Sequence, residues 1–142
     1  MRVASSGDTT RVEAASYVVT LADERPFVEV TASDGRRIGR LNPIGAVDTT
    51  AGLDGTAGIG VAAVEQRPGE VTVTLPIEST RWRAKRAVIA CRDDEVGLRV
   101  EVEGDGSLAD VRLLGGWYPT DRRWGAGWYR SWIAASTLVS AA

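Results

Sequence analysis

Histidine is absent from the chain. That removes the commonest general base near neutral pH, the commonest metal ligand and every Ser-His or Cys-His nucleophile arrangement. Cysteine occurs once, as Cys91, so no intrachain disulfide or cysteine-based zinc site can form, and the chain reads as cytoplasmic. Cys91 itself reads as a small apolar filler. No window approaches the roughly 18 consecutive apolar residues of a membrane span, and the opening MRVASSGDTTRVEAAS lacks the apolar core of a signal peptide. An excess of positive charge is missing too: 17 Lys and Arg stand against 19 Asp and Glu, giving a net charge of −2 and a pI of about 5.2. No global basic field draws the protein to nucleic acid or anionic lipid, and neither partner is expected.

Helical periodicity is also absent, and short runs of β-formers broken by turn residues take its place. After a polar leader over residues 1–10, residues 11–142 read as one domain, because 142 residues at 44% apolar content suffice for one core of ordinary size. Strands are expected at 11–21, 26–32 and 37–41, with a Ser33-Asp34-Gly35-Arg36 turn before the last. A long loop fills 42–57. Strands resume at 58–65, 70–75 (after Arg67-Pro68-Gly69), 80–91, 96–103, 108–114 and 133–139. That makes about nine strands with little or no helix, an antiparallel sandwich or barrel. Val71, Val73 and Leu75 alternate with Thr72 and Thr74, and Val96, Leu98, Val100 and Val102 alternate with Gly97, Arg99, Glu101 and Glu103. Asp105-Gly106 predicts a two-residue hairpin that sets Val100 opposite Val111 and Leu98 opposite Leu113. The preceding hairpin is expected to pair Val88 with Leu98 and Ala90 with Val96, leaving Lys85 and Arg83 outside against Glu101 and Glu103.

Motifs with chemical content are few. Gly58-Ile59-Gly60-Val61-Ala62-Ala63 fits G-x-G-x-x-A, but neither the preceding apolar strand nor the following helix is there, so a glycine-rich strand is expected. Arg81-Trp82-Arg83-Ala84-Lys85-Arg86 has the look of a phosphate-tracking strand, yet Glu101 and Glu103 share the parity that would neutralise it. Asp34, Asp93, Asp94 and Asp105 sit in turns and form no catalytic dyad. No catalytic residue, metal site or cofactor is expected.

Four of the five tryptophans lie between Trp117 and Trp132, in WYPTDRRWGAGWYRSW. Trp124, Trp128 and Trp132 fit one helical stripe or one strand face, and Gly125 and Gly127 oppose the helix. Tryptophan clusters serve as core anchors and as platforms for sugars. The candidate ligand-binding residues are Trp117, Tyr118, Asp121, Arg122 and Trp124, with Asp121 placed to hold a ligand hydroxyl or to pair with a neighbouring arginine.

The stretch WRAKRAVIACRDDEVGLRVEVEGDGSLADVRLLGG, followed by Trp-Gly-Ala-Gly-Trp, orders a Trp-bearing strand, a turn, a valine-rich strand, a Gly-Asp-Gly turn and a strand closing in Gly-Gly. Over residues 71–132 this resembles the N-terminal β-sandwich found ahead of the catalytic barrel in α-galactosidase-like and α-glucosidase-like glycoside hydrolases. The resemblance implies a supersandwich of the galactose mutarotase-like type and a non-catalytic accessory role. In that role the domain packs on a catalytic domain or binds carbohydrate. The family's paired carboxylates belong to the barrel and have no counterpart here, so the chain is not expected to be an enzyme. The apolar ending at 133–139 fits a chain cut from a longer one. Two further readings stand beside it: a free-standing sandwich or barrel holding a small apolar ligand, and an interaction module that shows its tryptophans to a partner subunit.

Overall fold

The chain alternates apolar and polar residues over short runs, and each such run can bury only one face. The computed structural model describes residues 1–7, 9–22, 25–113 and 118–119, which hold thirteen strands and no helix. Five of them form an antiparallel meander: β1 (Arg2–Ser6), β2 (Thr9–Glu13), β3 (Tyr17–Ala22), β4 (Arg25–Ala32) and β5 (Arg37–Leu41). The short β13 (Tyr118–Pro119) adds to the β5 edge, completing a six-stranded sheet. Residues 2–6 are thus an edge strand paired with β2, not the loose leader expected.

The second sheet runs β11 (Val96–Glu103), β10 (Ala84–Cys91), β9 (Glu70–Ser79). Two short strands share the other edge of β9: β7 (Thr56–Ile59) lies along its end and β8 (Ala63–Arg67) along its start. A two-stranded ribbon of β6 (Ala46–Thr49) and β12 (Leu108–Arg112) completes the fold. Among the described residues every pairing is antiparallel, and they form a β-sandwich.

Its main core lies between the two large sheets. Val12, Tyr17, Val19, Leu21, Val28 and Val30 from the first meet Val71, Val73, Ile89 and Cys91 from the second. Each fully buried Val, Leu or Ile contributes about 1.5–3 kcal/mol, so this interface dominates stability. Tyr17 ties the layers together: its hydroxyl donates to the carbonyls of Arg92 and Glu95, the latter at 2.8 Å, and burial pushes the phenol up. A second cluster of Leu75, Ile77 and Ala87 continues along β9 and β10, with Ile44, Ile59, Ala62 and Leu98 packed against it.

Two expected registers are overturned. The turn between β10 and β11 is closed by the Arg92 N–H on the Glu95 carbonyl, so Ile89 faces Leu98 and Cys91 faces Val96, one residue away from the expected register. After β11, Asp105-Gly106 does not fold the chain back. β12 crosses to β6, with Val111 opposite Val47, and the expected Val100–Val111 and Leu98–Leu113 pairs do not form. Gly106 serves close packing there: an added Cβ would stand 2.8 Å from the Thr49 methyl and 3.4 Å from the Trp82 ring. The strand expected at 58–65 splits into β7 and β8, and no helix follows Gly58-Ile59-Gly60.

Candidate functional site

β9 points its odd residues inward, and its register with β10 pairs odd with odd: Val71 with Cys91, Val73 with Ile89, Leu75 with Ala87 and Ile77 with Lys85. The parity that buries Ala87, Ile89 and Cys91 therefore carries Lys85 inward as well. Lys85 is the only lysine; every other basic side chain among the 17 is arginine. Its side chain is 1% exposed, and its ammonium pairs with the carboxylate of Asp54, which is 0% exposed. An unpaired charge at such a site costs several kcal/mol, so each residue requires the other.

Asp54 reaches this position through the turn after β6. Reciprocal Thr49 and Gly52 backbone bonds of 3.0 and 2.9 Å reverse the chain. Gly52 takes a φ of 140°, which residues with a side chain rarely adopt, so glycine is favoured there. The Asp54 N–H then donates to Asp48 Oδ1 at 2.7 Å, and Arg112 donates to Asp48 Oδ2 at 2.7 Å. Besides Lys85, the Asp54 carboxylate accepts the Ser79 hydroxyl (2.6 Å) and the Val47 N–H (3.1 Å). Ser79 Oγ in turn accepts the N–H groups of Arg81 and Trp82, and the Trp82 indole donates to the Val47 carbonyl at 2.6 Å. Burial pushes the Asp54 carboxyl up. Hydrogen bonds from Lys85, Ser79 and Val47, together with the Lys85 charge, outweigh that and hold it below the usual carboxylate range.

A general acid or base must come within about 2.6–3.2 Å of a substrate proton. The Lys85 side chain is 1% and that of Asp54 0% exposed, which leaves no surface through which a substrate atom could do so, and the carboxylate already accepts from Lys85, Ser79 and Val47. The pair acts as a clamp joining β10 to the β6 segment, which Asp48 and Arg112 extend to β12. Cys91 is equally inert: burial pushes its thiol up to about 11, against a smaller opposing hydrogen bond from Tyr17. Among the described residues no group of three or more Cys, Asp and Glu could hold a metal ion, and no helix is long and apolar enough to cross a membrane.

Across the second sheet the described residues leave a groove of about 490 Å3, with Thr74, Pro76, Arg86, Glu101 and Glu103 in its lining; Lys85 also borders it, although its side chain is 1% exposed. Glu101 is held from both sides, by Arg86 and by Arg99 Nε at 2.6 Å, and Arg83 holds Glu103. The Arg86 hydrogen bond leads in keeping the Glu101 carboxyl below its usual range, with Arg99 adding to it. The expected Arg83–Glu103 pair is present, whereas Glu101 takes Arg86 because Lys85 has turned inward.

Of the residues chosen from the sequence, Trp117, Asp121, Arg122 and Trp124 lie outside the described residues, as do Trp128, Trp132 and the strand expected at 133–139. Tyr118 opens β13, its backbone opposite Arg40 of β5. Asp54, Ser79 and Lys85 were missed as a group. The signal for Lys85 was its parity with Ala87, Ile89 and Cys91, obscured because the apolar run 87–91 occupies both faces of the strand. Asp54 lay in what read as a featureless loop.

No family model matches the chain, and no curated protein or solved structure matches it.

Proposed function

We propose that this chain is a non-catalytic accessory sandwich of a carbohydrate-active protein, one that packs on a separate catalytic domain or holds carbohydrate for it. The observation that carries the non-catalytic half is the sealed Lys85–Asp54 pair, since the most deeply buried acid–base chemistry in the described fold is spent on joining strands. In favour of the carbohydrate half, the order of features in β9 to β12, with Trp82 ahead of β10, lies within a two-sheet antiparallel sandwich, the architecture that the likeness to glycoside hydrolase N-terminal domains implies. The finer assignment to the supersandwich, galactose mutarotase-like type belongs to the same proposal. A small apolar ligand in the interior is less well supported: Val19, Leu21, Val28, Val71, Val73 and Ile89 fill that space at 0–2% exposure, and the groove that is open has charged walls.

Incubating the purified chain with a panel of aryl glycosides tests this reading. Hydrolysis at the no-protein background is expected. Turnover that a single Asp or Glu substitution abolishes would contradict it.

A further inference from the structure

Within that carbohydrate-directed reading, we infer that the outer groove across β9, β10 and β11 is a subsite for a neutral polyhydroxylated ligand of mono- or disaccharide size. Its volume of about 490 Å3 falls inside the roughly 300–1,000 Å3 of small-molecule sites. The walls are ionic but balanced: Arg86 stands with Glu101 and Glu103, the Lys85 charge is spent on Asp54, and Arg83 and Arg99, which lie outside the lining, hydrogen-bond the two glutamates. These pairs order long side chains before any ligand arrives, which lowers the entropic cost of binding.

Pairing does not use up the polar capacity. Arg86 engages Glu101 through Nε, and its side chain is 61% exposed, so the remaining guanidinium N–H groups face solvent. Glu103 is similarly open and keeps acceptor positions. Donors and acceptors therefore alternate along the groove. A hydroxyl both donates and accepts, and a vicinal diol presents two in a row, so it can replace water against both kinds of wall. An anion would meet Glu101 and Glu103, and a cation would meet the Arg86 guanidinium, so the charge pattern favours neither. The Thr74 hydroxyl adds a neutral partner, and Pro76 and Ala84 supply apolar surface for the C–H face of a ring. Among the described residues no aromatic side chain lines the groove, so weak binding is expected.

The test is a titration of the 15N-labelled chain with lactose and with maltose, followed by amide shifts, at low and at high salt. Saturable shifts confined to residues 84–86 and 101–103 and their β9 neighbours, insensitive to salt, are expected. Arg86→Ala should weaken binding by about tenfold, the loss of one charge-assisted hydrogen bond. Thr74→Val, which leaves the ion pairs in place, should weaken it less. Shifts mapping to another surface, or no shifts with either sugar, would overturn the subsite. Tighter, salt-sensitive binding of glucose 6-phosphate in a parallel titration would overturn the neutral class of ligand. Failure of the non-catalytic reading shows separately, as aryl glycoside turnover.

Discussion

Replacing Lys85 with methionine keeps the length of the side chain and removes its charge. In the folded protein Asp54 would then remain 0% exposed, holding the Ser79 hydroxyl and the Val47 N–H but without its counter-ion. Removing one partner of a buried ion pair typically costs about 3–5 kcal/mol, because the residual charge stays uncompensated. At roughly 3–4 °C per kcal/mol for a domain of this size, Lys85→Met should lower Tm by about 10–20 °C. The double variant Lys85→Met/Asp54→Leu removes both charges and should recover a large part of that loss. It leaves the Ser79 hydroxyl and the Val47 N–H to find other partners, at about 1–3 kcal/mol each if they stay buried and unpaired. Urea unfolding of the wild type, both single variants and the double variant closes the cycle. Additive effects, or a Lys85→Met cost below about 1 kcal/mol, would refute a sealed pair and place the ammonium in solvent.

The Asp54 carboxyl titrates lower in the folded chain than in the unfolded one, where about 3.9 is usual, so its stabilisation is present above that value and is lost as pH falls through the folded pKa. Acid unfolding curves should show this loss, and Asp54→Asn, already destabilised at neutral pH, should show a shallower acid limb. Trp82→Phe retains most of the ring burial but strands the Val47 carbonyl, for an expected cost of about 1–3 kcal/mol in urea unfolding; a neutral result would mean that water replaces the indole N–H. Cys91, buried and with its thiol pushed up to about 11, should react with a thiol-selective disulfide reagent only after denaturation, and rapid native labelling would contradict its burial.

The sequence disclosed strands wherever local chemistry decides them. β5 and β11 fall at the expected residues, and the Ser33–Arg36 turn forms with Gly35 at a φ of 85° and the Asp34 carboxylate accepting the Arg36 N–H. The inward face of β9 followed from its strict alternation. Long-range choices were less legible. Asp105-Gly106 carries the composition of a hairpin turn, yet Gly106 is occupied with clearance from Thr49 and Trp82, and β12 pairs with a strand about sixty residues earlier. Lys85 was misplaced for a related reason. With apolar residues on both faces of β10, its direction depends on the register with β9 and on a counter-ion some thirty residues upstream, and no local pattern encodes either. The groove was half legible, since the glutamates at 101 and 103 were correctly read as an outward face, while the arginine that meets Glu101 depended on the same register.

Because Lys85 is the chain's only lysine, its enclosure can be measured without interference from other lysines. Native protein treated with an amine-acylating reagent and mapped by peptide mass spectrometry should carry no acyl group on Lys85, whereas the same treatment in denaturant should modify it completely. Acylation of Lys85 in the native state at the rate of a solvated lysine would contradict the central claim that the Lys85–Asp54 pair is a sealed structural clamp.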